Sequence, residues 1–186
     1  MNPFLLNKSP TGISITCTNF RGLGVTVADK KINWILTLKA DVHILIDSRC
    51  SEDKFNHFLN TSKYKYMMSN YKHVGSYNKS KGVIVLYIKN KTKVDDVAII
   101  QDGMLLRLKI NIEYIRILGS YAPLASDEPE FFYKCKDVLN LSTEKHGLIV
   151  GDLNTTLHPE LDRKNYKTDS HKKSRLSLTI GSQMKK

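Results

Sequence analysis

The sequence predicts a layered α/β domain, on three observations. Short β-prone runs outnumber stretches of helical periodicity but are mixed with them. Several of those runs stop abruptly at a polar residue. The chain has 186 residues, 41% hydrophobic and 25% charged, which is length enough for one buried core and a composition typical of a folded globular protein.

Taken in order, residues 13–18 (ISITCT) form the first β-prone run, closed by the glycine-punctuated turn Asn19-Phe20-Arg21-Gly22-Leu23-Gly24. Over residues 27–38 the apolar Ala28, Ile32, Ile35 and Leu36 recur at helical spacing, with Trp34 in the same stretch. Residues 42–46 (VHILI) read as a buried strand ending at Asp47. Ser51-Glu52-Asp53 is a good helix N-terminus, because a side-chain oxygen and acidic groups suit the free amides there; a short helix to Leu59 follows. Residues 64–68, 83–88, 94–100, 104–110 and 114–119 then read as successive strands, several of them separated by turn formers at Asn90 and Asp102-Gly103. Residues 127–141 have helical spacing through Phe131, Phe132, Cys135 and Val138, and Leu148-Ile149-Val150 is a last buried strand stopping at Gly151-Asp152. Without repeats or a low-complexity linker, one domain spans 1–186, its ends (about 1–10 and 165–186) less ordered.

Lysine and arginine total 29 against 18 acidic residues, a formal charge of +11 with pI near 9.5. Such an excess favours polyanionic partners, nucleic acid first and an anionic membrane surface second. Much of it lies in the tail after Leu161, from Arg163 onward. Cys17, Cys50 and Cys135 are odd in number and lack ligand spacing, which excludes a disulfide framework or zinc site and suits reduced thiols inside a cell. No run has signal-peptide or membrane-spanning length. The six histidines show no ligand spacing; His43 reads as a core residue, and Trp34, Phe131 and Phe132 as core packing.

Four strand runs end in polar residues: Asn19, Asp47, Tyr121, and Asp152 with Asn154. In α/β sheets, catalytic and ligand-binding groups gather beyond the carboxyl ends of strands. If the four ends converge, they supply two carboxylates, two amides and a phenol, a set suited to a hard cation such as magnesium. Asp and Asn also follow strands simply as turn residues, and both readings stand at this point.

The segments Thr18-Asn19-Phe20-Arg21-Gly22-Leu23, Ala40-Asp41-Val42-His43-Ile44-Leu45-Ile46-Asp47-Ser48-Arg49, Ser80-Lys81-Gly82-Val83, Gly119-Ser120-Tyr121-Ala122-Pro123 and Gly151-Asp152-Leu153-Asn154-Thr155 occur in a telling order. In order and spacing the chain resembles the exonuclease–endonuclease–phosphatase superfamily, and within it the endonuclease domain of non-LTR (LINE-type) retrotransposons. Leu161-Asp162-Arg163 favours that branch over lipid or inositol phosphatases. The resemblance implies a two-sheet α/β sandwich of the DNase I-like type that hydrolyses DNA phosphodiesters with magnesium, or manganese in its place. It implies a metal carboxylate at Asp47, groups around the phosphate at Asn19 and Tyr121, water activation by Asp152, a phosphate contact at Asn154 and substrate binding by Arg163. It further implies a parent protein carrying a reverse transcriptase and acting on nuclear DNA.

The chain departs from the family twice. Asp47 stands where the family has glutamate, a side chain one methylene longer. The family's closing Ser-Asp-His, which supplies the catalytic histidine, has no counterpart after Asn154; Thr168-Asp169-Ser170-His171 has the residue types in the wrong order and reads as a helix start. The resemblance therefore implies a domain cut short at its C-terminus, with catalysis lost or reduced by roughly 10²–10⁴-fold. Three functions stay open: a DNA-nicking nuclease, a non-catalytic remnant that binds nucleic acid, and a phosphatase of the same superfamily.

Overall fold

The structure, a computed structural model, describes residues 13–23, 25–61, 65–90, 92, 94–101, 105–110, 115–122, 129–140 and 146–154. Two compact units divide the chain: Met1–Tyr121 with Glu144–Asp152, and Ala122–Thr143 with Leu153–Lys186.

The first unit holds two four-stranded sheets. In one, β1 (Ile15–Asn19) lies parallel to β2 (Val42–Ile46), and the two are joined through helix α1 (Val25–Thr37). The sheet continues antiparallel through β4 (Gly82–Ile88) to β3 (Tyr71–Tyr77). In the other, β5 (Val94–Gln101), β6 (Leu105–Ile110) and β7 (Ile115–Tyr121) are antiparallel neighbours, and β8 (His146–Asp152) pairs parallel with β7.

A strand buried on both faces needs apolar side chains at both alternations, and VHILI supplies them. Val42, Ile44 and Ile46 point into the inter-sheet core with Ile15, Val83, Val85 and Ile117, against which Leu148 and Val150 of β8 pack. On the other face Leu45 joins Ile84 and Leu86 against a helical layer. That layer is Ile32, Ile35 and Leu36 of α1, Phe55 of α2 (Glu52–Thr61) and Met68 of the short α3 (Lys65–Met68). Each such side chain, fully buried, contributes on the order of 1.5–3 kcal/mol. The order is helices, sheet, sheet.

The sequence reading errs in one place. Residues 64–68 are predicted as a strand, yet residues 65–68 form α3, and the strand lies just beyond, at β3. Tyr66 and Met67 are exposed, at 87% and 41%, and of residues 65–68 only Met68 is buried, so these residues have no strand face to bury. β3 presents Tyr71 and Tyr77 to the helical core and Val74 to the inter-sheet core. Its apolar surface is aromatic rather than aliphatic, interrupted by Gly75. In place, Gly75 is where a Cβ would come within 2.9 Å of the Tyr77 ring. Pairing with β4 decides the conformation over local propensity.

In the second unit, α4 (Pro129–Asn140) opens on proline, whose fixed φ and missing N–H suit a first helical turn. Phe131, Phe132, Cys135 and Val138 are buried at the predicted helical spacing. Among the described residues the three cysteines are free thiols, and no helix is long and apolar enough to cross a membrane. The predicted loose ends and the segment 168–171 lie outside the described residues.

Candidate active site

Parallel pairing puts strand ends side by side. Asn19 is in register with Ile46, one residue before Asp47, and Tyr121 is in register with Asp152. The final approach of β8 to β7 requires glycine at 151, where a Cβ would sit 1.8 Å from the Ser120 carbonyl oxygen.

Beyond β1 and β2 the chain is laced into a rigid rim. The amides of Phe20, Gly22 and Leu23 donate to the carbonyls of Ile46, Asp47 and Ser48 at 2.7, 2.7 and 2.9 Å. Those of Ser48 and Arg49 donate to Gly82 and Lys81 at 3.1 and 3.0 Å. This lacing holds Arg21, Asp47 and Arg49 at φ of 49°, 55° and 48°. Left-handed backbone at a non-glycine residue costs on the order of 1–3 kcal/mol and persists only where the surroundings impose it. Gly82, at φ 136°, lies where a Cβ would meet the Ser48 hydroxyl at 2.5 Å.

Two side-chain contacts then join the two sheets at this rim. The Asn19 carboxamide nitrogen donates to Asp152 Oδ2 at 2.9 Å, while its oxygen accepts from the Arg21 amide at 3.1 Å. Fixing the oxygen this way sets which end of the amide faces the carboxylate. The second contact runs through Arg49. Its Nε and Nη2 donate to Oδ1 and Oδ2 of Asp47 at 2.7 and 2.8 Å, and the guanidinium also bonds the Tyr121 phenol. Asp47 is 2% exposed and the Arg49 side chain 48%. These bonds and the Asp47 charge hold the guanidinium pKa above its ordinary value.

Thus Asn19 and Asp152 meet directly, and Asp47 and Tyr121 meet through Arg49. Arg49 was given no role from the sequence, although it closes the segment 40–49 that carries the resemblance and stands two residues after a strand-ending aspartate. Lys31 of α1 was missed as well. Its ammonium bonds the Phe20 carbonyl and lies 5.1 Å from the centroid of the Phe20 ring. Burial and the Arg21 charge lower its pKa, Asp47 pulls the other way, and Arg49 adds to the lowering. Lys31 thus lies within electrostatic reach of Arg21, Arg49 and Asp47 together.

Cys17, one of the β1 residues, has its thiol pushed up to about 12 by burial, with the Asp152 charge adding to it. Such a shift favours the neutral thiol over the nucleophilic thiolate. Asn154 belongs to the second unit, where it has φ 46° and its amide donates to the Ala122 carbonyl at 2.6 Å. Arg163 lies outside the described residues. His43 is buried as read from the sequence, its Nδ1 2.6 Å from the Thr16 hydroxyl; burial pushes its pKa down to about 4.

A magnesium ion at Asp47, as the resemblance implies, can be tested against these donors. Among the described residues no three His, Cys, Asp or Glu side chains come together to hold a metal. Magnesium needs no such cage, since it commonly uses one or two carboxylates with water and substrate phosphates. Asp47 is buried and already holds one cation through both oxygens. The position thus takes positive charge through oxygen donors, which fits a hard cation in place of the guanidinium.

No family model and no curated protein matches the sequence. Solved structures do match. An AP endonuclease from Archaeoglobus fulgidus superposes at TM-score 0.63 and 15% identity, over 89% of this chain and 70% of that one. The AP endonuclease LMAP from Leishmania major gives 0.64 and 16%, over 91% and 65%. A humanized TDP2 from D. rerio gives 0.59 and 16%, over 84% and 68%. The chain spans about two thirds of the length of these structures. At such identities the likeness concerns fold: this chain has the two-sheet α/β sandwich of the DNase I-like type that the AP endonucleases share.

Proposed function

We propose that the chain acts on DNA phosphodiester bonds as a magnesium-assisted endonuclease of the retrotransposon type. The observation that carries this reading is the hydrogen bond from Asn19 to Asp152, 133 residues apart, which presents an oriented carboxylate where the ends of both sheets meet. The fold shared with AP endonucleases and the net charge of +11 support DNA as the substrate.

In this reading Asp152 accepts the proton of the attacking water, and Asn19 keeps its carboxylate turned to that task. The phenol of Tyr121, with the carboxamide of Asn19, donates to phosphoryl oxygens as charge develops on them. Asp47 would hold magnesium, which when bound supplies Lewis-acid polarisation and charge neutralisation. Arg21 and Lys31 offer positive charge to the phosphates flanking the cleaved bond. Roles for Asn154 and Arg163, as phosphate and substrate contacts, rest on the resemblance alone.

The test is nicking of supercoiled plasmid by the purified 186-residue chain, in magnesium or in EDTA, beside Asp152→Ala, with far-UV circular dichroism of both proteins. The expected result is magnesium-dependent nicking that falls roughly 10²–10⁴-fold in the variant while the fold is kept. A folded chain that binds DNA in a salt-sensitive way and never cuts it would replace this reading with non-catalytic binding.

A further inference from the structure

Asp47 and Arg49 form an ion pair of unequal partners. The carboxylate is 2% exposed and cannot turn to solvent, whereas nearly half the arginine side chain is in water. Both sit at left-handed φ, held by the lacing to residues 20–23 and 81–82, so the pairing is built into the backbone. A buried carboxylate demands a counter-charge, and here its bidentate partner is half-exposed and can leave without being dragged from a core. The guanidinium keeps its bond to the Tyr121 phenol, and the neighbouring Lys31 charge opposes it once the carboxylate is otherwise neutralised.

We infer that Arg49 is a displaceable internal counter-cation: it occupies Asp47 when no divalent ion is bound, yields both carboxylate oxygens when one binds, and then offers its fork to a phosphate of the nucleic acid. The inference rests on the proposed nucleic-acid function for its last step. It gives Arg49 a substrate-binding role coupled to metal loading, so that the site grips phosphate through this residue only when the ion is present. Bidentate geometry matters in both states, since carboxylate and phosphate offer the same paired oxygens.

The first experiment reads metal binding without DNA or cleavage. Free Mn2+ is measured by electron paramagnetic resonance as it is titrated with the full chain, and with Arg49→Met. Removing the competitor is expected to tighten Mn2+ binding about threefold to fivefold, the scale of a good half-exposed ion pair. Asp47→Asn is expected to abolish that binding. Unchanged or weaker Mn2+ affinity in Arg49→Met overturns the inference, as does absence of Mn2+ binding by both proteins. Should Arg49→Met not fold, the pair Arg49→Lys and the neutral double variant Asp47→Asn/Arg49→Met replaces it. The lysine variant keeps the charge but loses the fork, and tightening of Mn2+ binding is expected there too.

The second experiment measures the salt dependence of binding to a short DNA duplex, with Ca2+ or with EDTA. Arg49→Met is expected to lower the slope by about one phosphate contact with Ca2+ and to leave it unchanged in EDTA. A loss equal in both conditions overturns the coupling. Plasmid nicking that is absent while Mn2+ competition holds would remove the hydrolytic reading and keep this one. Nicking with Mn2+ affinity insensitive to Arg49 would do the reverse.

Discussion

The two aspartates flanking β2 are almost equally buried, Asp41 at 1% exposure and Asp47 at 2%, and the contacts that hold them differ. Asp41, at the amino end, accepts from the Ser14 amide at 2.8 Å and from the Ser14 hydroxyl at 2.7 Å, while its own amide donates to the Ser14 carbonyl and hydroxyl. These are neutral donors on a neighbouring stretch of chain, and they tie β1 to β2. Asp47, at the carboxyl end, is met by a guanidinium from two residues away, on backbone forced to positive φ. A carboxylate that accepts the amide and hydroxyl of a neighbouring stretch of chain is part of what joins the strands. One bound by a half-exposed cation is provisional, and it lies where parallel strands leave their polar ends together. Equal burial thus conceals different purposes.

The contrast breaks most visibly at Asp41. Asp41→Ala leaves both Ser14 donors buried without that acceptor, and is expected to destabilise the chain by roughly 3–5 kcal/mol, from two hydrogen bonds to a charged group. Chemical denaturation would read this, and DNA binding measured well below the unfolding midpoint should be unaffected. His43, between the two aspartates on β2, gives the next effect. Burial pushes its pKa down to about 4 from 6.5, so below pH 6.5 the unfolded chain binds a proton that the folded chain refuses. Stability is therefore full above pH 6.5 and falls as pH drops from 6.5 towards 4, by on the order of 3 kcal/mol. His43→Asn should flatten that part of the denaturation profile; an unchanged slope would show that other groups carry it, His73, also pushed down by burial, being the first candidate. The smallest effect belongs to Asp47→Ala, which is expected to move the denaturation midpoint far less than Asp41→Ala, because the partner it abandons is already half in water. If Asp47→Ala costs as much stability as Asp41→Ala, the distinction between the two ends is lost.

Most of the layered fold was legible because its strands are apolar runs bounded by turn chemistry, with 42–46 matching β2 end for end. The polar terminators Asn19, Asp47, Tyr121 and Asp152 were legible for the same reason, since a charged or amide group after a buried run is conspicuous. What joins them was not. The Asn19–Asp152 bond spans 133 positions and depends on both sheets being in place. Arg49's hold on Asp47 depends on two residues adopting left-handed backbone, which composition does not announce at non-glycine positions. β3 escaped because tyrosine, histidine and glycine take the place of aliphatic residues, and its pairing with β4 supplies what local propensity lacks.

The most direct test is a ¹H–¹⁵N correlation spectrum of the full chain titrated with a short DNA duplex in Ca2+. Amides that shift should cluster at residues 19–23, 47–49, 121 and 151–152, while Ser14, Asp41 and Lys89, at the other end of the same sheet, stay still. Shifts concentrated at Ser14, Asp41 and Lys89 with a silent carboxyl rim would contradict the account and move the nucleic-acid surface to the opposite end.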